Sequence, residues 1–270
     1  MSATLTYVYC LVRAARRPSI RAVPRGMPGG AGVRLLDVPL LDSMQRSARV
    51  RHWLVVSTVP ATMYGENALE NGIQQLEWVG PRALAHEGVI EHFLKSDAVL
   101  PMQLFTLFKS DARAIEHVLG NRRRITRILM RVERQVEWGL RLMWDPSSAD
   151  ADARPRASKK RPVSGRSISG AEYLTGKRNL HNQSRVQLRR ARADAARMYR
   201  KIAGEASEAL RRLDVERAAP GSRLLLEAAF LVPVQRAKAF RAAVSRHTGA
   251  LEQSGIAVSL TGPWPPYNFI

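Results

Sequence analysis

Histidines 52, 86, 92, 117, 181 and 247 and the lone Cys10 are the side chains best suited to metal binding or nucleophilic attack. Their spacing fits neither task. His86 and His92 stand six residues apart, about 600° around a helix, so they share no coordinating face of the i, i+4 kind. Cys10 sits in the apolar run Tyr7-Val8-Tyr9-Cys10-Leu11-Val12 with no base beside it, and reads as a small buried hydrophobe. No Gly-x-Ser-x-Gly elbow occurs. Gly26, Gly29, Gly30 and Gly32 precede no Gly-Lys-Ser/Thr and lack the GxGxxG register, so they form a loop and not a phosphate cradle. Glu87 and Glu91, at i and i+4, read as a solvated helix face instead of an acid/base pair. The expectation is no enzyme, no cofactor and no metal.

Two features with binding chemistry remain. The chain closes on Gly262-Pro263-Trp264-Pro265-Pro266-Tyr267-Asn268-Phe269-Ile270. Proline fixes φ and biases the preceding residue toward extended backbone, so this tail is a stiff strap that cannot be a helix or the middle of a sheet. Trp264, Tyr267 and Phe269 can hold it against an apolar surface, either of its own domain or of a partner. The second feature is positive charge. Lys and Arg total 43 against 23 Asp and Glu, and between residues 154 and 201 the only acids are Glu172 and Asp194. Arg189, Arg190 and Arg197 lie in its helical part, and three readings stay open for them: a solvated face, a dock for an acidic protein, or a nucleic-acid surface. Only Tyr199 is aromatic between residues 185 and 201, and no helix-turn-helix, zinc-finger or RNP pattern accompanies it. Nucleic acid is therefore the weakest of the three.

These groups need a scaffold of two α+β domains, residues 1–133 and 134–261, followed by the tail 262–270. In the first, β-branched and aromatic runs predict strands over 4–12, 33–40, 52–57 and 98–105, the last an edge or bulged strand because of Pro101. Leu69, Ile73, Leu76, Val79, Leu84, Val89 and Phe93 give a helical period over 67–94, interrupted at Gly80-Pro81. Further helices are expected over 111–119, with Ser110 as cap, and over 125–133. In the second, 136–144 alternates as a half-buried strand with Glu137 and Arg141 pointing away from the core. Residues 146–169 are too polar to pack and read as a mobile basic insertion. A long helix over 171–216 carries the stripe Leu188, Ala191, Ala195, Met198, Ile202, Ala206, Leu210 and Leu213 inward. A strand over 224–232, a helix over 234–251 and a strand over 256–261 complete the domain. One cysteine fits a reducing, cytoplasmic setting, and neither the amino-terminal run nor 224–234 is long and apolar enough to be a signal peptide or a membrane span.

Several motifs together resemble one family. They are Tyr7-Val8-Tyr9; His86 with Val89-Ile90-Glu91; Val99-Leu100-Pro101 followed by Thr106-Leu107-Phe108; Val136-Glu137-Trp138-Gly139-Leu140; Ser169-Gly170-Ala171-Glu172-Tyr173-Leu174 with Lys177-Arg178; and the closing Gly-Pro-Trp-Pro-Pro-Tyr-Asn-Phe. In this order they are similar to the GvpF/GvpL family of gas vesicle proteins, and the ending is the most specific part. Where that family reads close to Arg-Phe-Gly-Thr after the proline, this chain has Gln103-Leu104-Phe105-Thr106. The resemblance implies a ferredoxin-like first domain, a tail packed back, and an accessory role in gas vesicle assembly. It further implies a cytoplasmic, vesicle-associated protein that binds the small hydrophobic shell protein, of GvpA type, and other accessory proteins. The alternative from the residues alone is a nucleic-acid-binding module on 154–201.

Overall fold

The computed structural model describes residues 3–39, 51–145, 170–212 and 222–270. It is an α+β protein with two sheets. The expected insertion at 146–169 lies outside the described residues.

The chain forms two compact units, Met1–Glu137 together with Pro263–Ile270, and Trp138–Gly262. The first unit is built on β1 (Thr4–Ala14), β2 (Arg34–Val38), β3 (Arg51–Pro60) and β4 (Ala98–Pro101), side by side in the order β2-β3-β1-β4. Each neighbouring pair is antiparallel. This is the strand order of a ferredoxin-like sheet, but residues 15–33, which would be a helical crossover there, are loop. Pro101 is accommodated because β4 is an edge strand, as the sequence requires. The two-residue β5 (Leu107–Phe108) pairs with the start of β1.

Both faces of this sheet are covered. The register of β1 against β3 slips between Val8 and Cys10, and Tyr9 is the extra residue. A bulge of this kind sends two successive side chains to one side. Tyr7, Tyr9, Cys10 and Val12 therefore share a cluster with Tyr64 of α1 (Ala61–Tyr64), Val89 and Ile90 of α3 (Leu76–His92), and Phe93 just after it; the short α2 (Glu66–Gly72) lies between the two helices in the chain. Val8 and Leu11 turn to the other face and pack with Leu54, Ala114, Val118, Ile125 and Leu129 beneath α4 (Asp111–Gly120) and α5 (Arg122–Arg131). Ser110 caps α4, its Oγ accepting from the Arg113 amide.

The helical run after β3 departs from expectation in two ways. Its break falls between Gly72 and Leu76, while Pro81 lies inside α3, where its missing N–H forgoes the helical bond to the Glu77 carbonyl. The buried side of α3 is Arg82, His86, Val89 and Ile90. Leu76 and Leu84 project the opposite way, 83% and 77% exposed, and Ile73 is 53% exposed.

In the second unit the order is β7-β8-β6-β9, formed by β6 (Gln135–Trp144), β7 (Glu208–Arg212), β8 (Arg223–Pro233) and β9 (Ile256–Trp264). The long helix α6 (Gly170–Ala203) buries Ala191, Ala195, Met198 and Ile202, and α7 (Ala237–Glu252) buries Phe240, Val244 and Leu251. Phe230 joins them, with ring centroids 5.9 Å from Tyr199 and 5.5 Å from Phe240. The helix stops well before residue 216. Beyond Gly204 the chain turns, and Glu208–Arg212 pairs antiparallel with β8, which leaves Leu210 40% exposed. Leucine and arginine suit either state locally, and the ladder offered by β8 decides between them.

Candidate functional site: the carboxyl-terminal tail, its groove and the basic helix

The tail and the surface it touches belong to the first unit. Pro265 and Pro266 are buried, and Phe269 is 1% exposed at the end of a single 3₁₀ turn, Tyr267–Phe269. The Arg131 guanidinium stands 5.8 Å from the Phe269 ring centre and donates to the Phe269 carbonyl at 2.9 Å. Asn268 clasps one carboxylate, its backbone N–H donating to Glu137 Oε2 at 2.8 Å and its side-chain amide to Oε1. Glu137 is consequently 5% exposed instead of solvated as strand alternation suggests. Alternation describes the strand alone, and the tail supplies a polar lid that no local pattern encodes.

Tyr267 Oη donates to Glu87 Oε2 at 2.6 Å. Burial pushes the Glu87 carboxyl up from its usual range, the bond from Tyr267 opposes that, and nearby Glu91 adds to it. Glu87 is thus an anchor for the tail and not part of a merely solvated pair. Trp264, on the edge strand β9, and Tyr267 are each 36% exposed.

Beside the tail lies an open groove of about 810 Å³. Leu100, Met102, Leu104, Ile125, Ile128 and Ile270 give it apolar walls, and His117, Arg124 and Glu87 give it polar edges. Its floor is held by His86. Met102 O can only accept, so His86 Nε2–H donates to it at 3.0 Å, and Nδ1 is left to accept from Tyr7 Oη at 2.7 Å. The Phe105 amide in turn donates to Tyr7 Oη at 3.2 Å. Burial lowers the His86 pKa and holds it neutral, while burial raises that of Cys10. His86 is a positioning residue of the wall. A single histidine with no second ligand gave only a weak signal of this in the sequence.

Phe105 adopts φ 66°, the left-handed region that favours glycine. It occupies the position where the resembled family has glycine. The tight turn is kept, and the Phe105 ring packs 5.3 Å from Trp78.

Arg189, Arg190 and Arg197 are exposed on α6, on the side away from Ala191, Ala195 and Met198. They belong to the second unit, whereas Tyr267 and Phe269 belong to the first. Among the described residues no three of His, Cys, Asp and Glu gather as metal ligands, and no helix is long and apolar enough to cross a membrane.

The model of the gas vesicle synthesis protein GvpL/GvpF family matches residues 5–270. The chain belongs to that family. It is 29% identical to Gas vesicle protein L of a Streptomyces species over 270 residues, 98% of this chain and 92% of that protein. In fold it is similar to the crystal structure of GvpF from Anabaena sp., with TM-score 0.64, 13% identity, and coverage of 98% of this chain and 95% of the other. GvpF from Microcystis aeruginosa gives TM-score 0.59 and 14% identity over 99% of both chains. At these identities the two structures speak for the fold alone.

Proposed function

We propose that this family member is a non-enzymatic accessory protein of gas vesicle assembly. It works in the cytoplasm, in association with the vesicle, and holds the small hydrophobic shell protein, of GvpA type, alongside other accessory proteins. The observation that carries the reading is the open apolar groove beside the tail, in a chain matched to the family model from residue 5 to residue 270. A protein handling an aggregation-prone subunit needs apolar contact area together with charge for solubility, and the net charge of +20 supplies the second.

The test is co-purification with the shell protein from cells, comparing the wild type, Ile128→Asp in the groove wall, and a chain lacking residues 263–270. Retention by the wild type, with loss in both variants although Ile128→Asp melts as the wild type does, is the expected result. Retention undiminished in Ile128→Asp removes the groove from the proposal. A wild type that retains no shell protein, yet binds DNA or RNA with a steep loss on adding salt, replaces it with the nucleic-acid reading of residues 154–201.

A further inference from the structure

The outward faces of α3 and α6 carry opposite charge around apolar centres. On α3, Leu76 and Leu84 stand out at 83% and 77% exposure, with Glu77 and Glu91 exposed on the same side of the helix. Between the leucines, a Cβ added to Gly80 would meet nothing within 4 Å, so the ridge has a low point. From residue 66 to residue 91 the acids are Glu66, Glu70, Glu77, Glu87 and Glu91, and the only Lys or Arg is Arg82. Its guanidinium is turned inward, 3.8 Å from the Trp78 ring centre. In a chain of net charge +20 this is an acidic surface with apolar side chains left in water.

On α6 the face opposite the core has Val186, 64% exposed, and the exposed Ala193 at its middle. Arg189, Arg190, Arg197 and Arg200 surround them, all exposed. Arg197 is engaged with its helix neighbour Asp194, while no described carboxylate pairs with Arg189, Arg190 or Arg200.

We propose that these faces meet between copies of the chain: α6 of one molecule docks on α3 of the next, Val186 and Ala193 against Leu76 and Leu84, the arginines on Glu77 and Glu91. The low point at Gly80 lets the two helices approach closely, burial of the leucines supplies the attraction, and the charges set the register. The two patches differ, so the contact joins unlike faces of neighbouring molecules. It is independent of the shell-protein reading and stands if that fails.

Sedimentation velocity of the full chain over a concentration series tests it. The wild type is expected to self-associate at low salt and to dissociate as salt is raised. The variants R189E/R190E/R197E and E77R/E91R are each expected to be monomeric, and their equimolar mixture to associate again. Mixing gives an acidic α6 a basic α3, and an acidic α3 a basic α6. L84S, which alters no charge, is expected to weaken association of an otherwise wild-type chain. A wild type that stays monomeric at low salt overturns the proposal. So do variants that associate as the wild type does, or a mixture of two folded variants, checked by circular dichroism, that remains monomeric.

Discussion

On one face of the first sheet Tyr7, Tyr9, His86 and Ser57 lie among apolar neighbours and are joined by hydrogen bonds: Tyr7 to His86, and Tyr9 Oη to Ser57 Oγ at 3.0 Å. On the other, Val8, Leu11, Leu54, Val56 and Leu129 pack into one cluster of apolar side chains. The same strand, β1, feeds both. The apolar face is non-directional and needs only volume and shape. The polar face holds segments with no regular structure of their own. Tyr9 Oη accepts from the Met27 amide at 2.8 Å, which pins the glycine-rich loop. A Cβ on Gly26 would come within 2.3 Å of that hydroxyl, so the loop's approach requires glycine there. Tyr7 pins the turn at Phe105 in the same manner. One face supplies stability, and the other sets the shape of two loops, of which the segment after β4 lines the groove.

That contrast can be broken by substitution. Leu54→Ala, in the apolar face, should cost about 3 kcal/mol from lost burial and the cavity left behind, read as a lower urea midpoint. The loss should be the same at every pH from 5 to about 8, because no titrating group is disturbed. Tyr7→Phe should cost less, about 2 kcal/mol, since it leaves the buried Phe105 amide and His86 Nδ1 without their partner. Hydrogen exchange should quicken across 102–106 in that variant while the α4 and α5 amides keep their protection. Uniform loss of protection would refute the division of labour between the faces. At the turn itself, Phe105→Gly should be more stable than Phe105→Ala by about 1 kcal/mol, because both lose the Trp78 contact and only glycine escapes the left-handed strain. Equal melting temperatures would show that the turn carries none.

The mildest effect is the pH dependence that His86 introduces. The His86 pKa is lowered from 6.5 in the fold, so the unfolded chain takes up the proton first. This contribution is whole above about 6.5 and is lost as pH falls below it toward the folded value. His86→Gln should flatten the stability profile in that window. Asp111, held below the usual carboxylate range by Arg34, acts in the same direction only at lower pH, beneath 3.8. An unchanged slope between pH 7 and 5 in His86→Gln would assign the dependence elsewhere.

Much of this was legible in the sequence. The Ser110 cap and the edge position of β4 follow from short-range rules that the tertiary fold does not override. The motifs that carry the family resemblance were legible too. What was not legible depends on partners distant in sequence. Leu76 and Leu84 satisfy a helical period, yet the sheet selects the opposite side of α3, where His86 finds Tyr7. Glu137 reads as solvated until a residue 131 positions later folds over it. The end of α6 is settled by a ladder on β8. The groove was invisible for the same reason, since its walls come from α3, the segment after β4, α5 and the chain terminus.

The first compact unit is assembled from the first 137 residues and the last eight, Pro263–Ile270, so the whole second unit is an insertion within it. Residues 1–137 are synthesised before any of residues 263–270, so until the later segment arrives Glu137 lacks the Asn268 clasp and the groove lacks Tyr267 and Ile270. A product that stops short of Pro263 leaves the wall beside the groove unfinished.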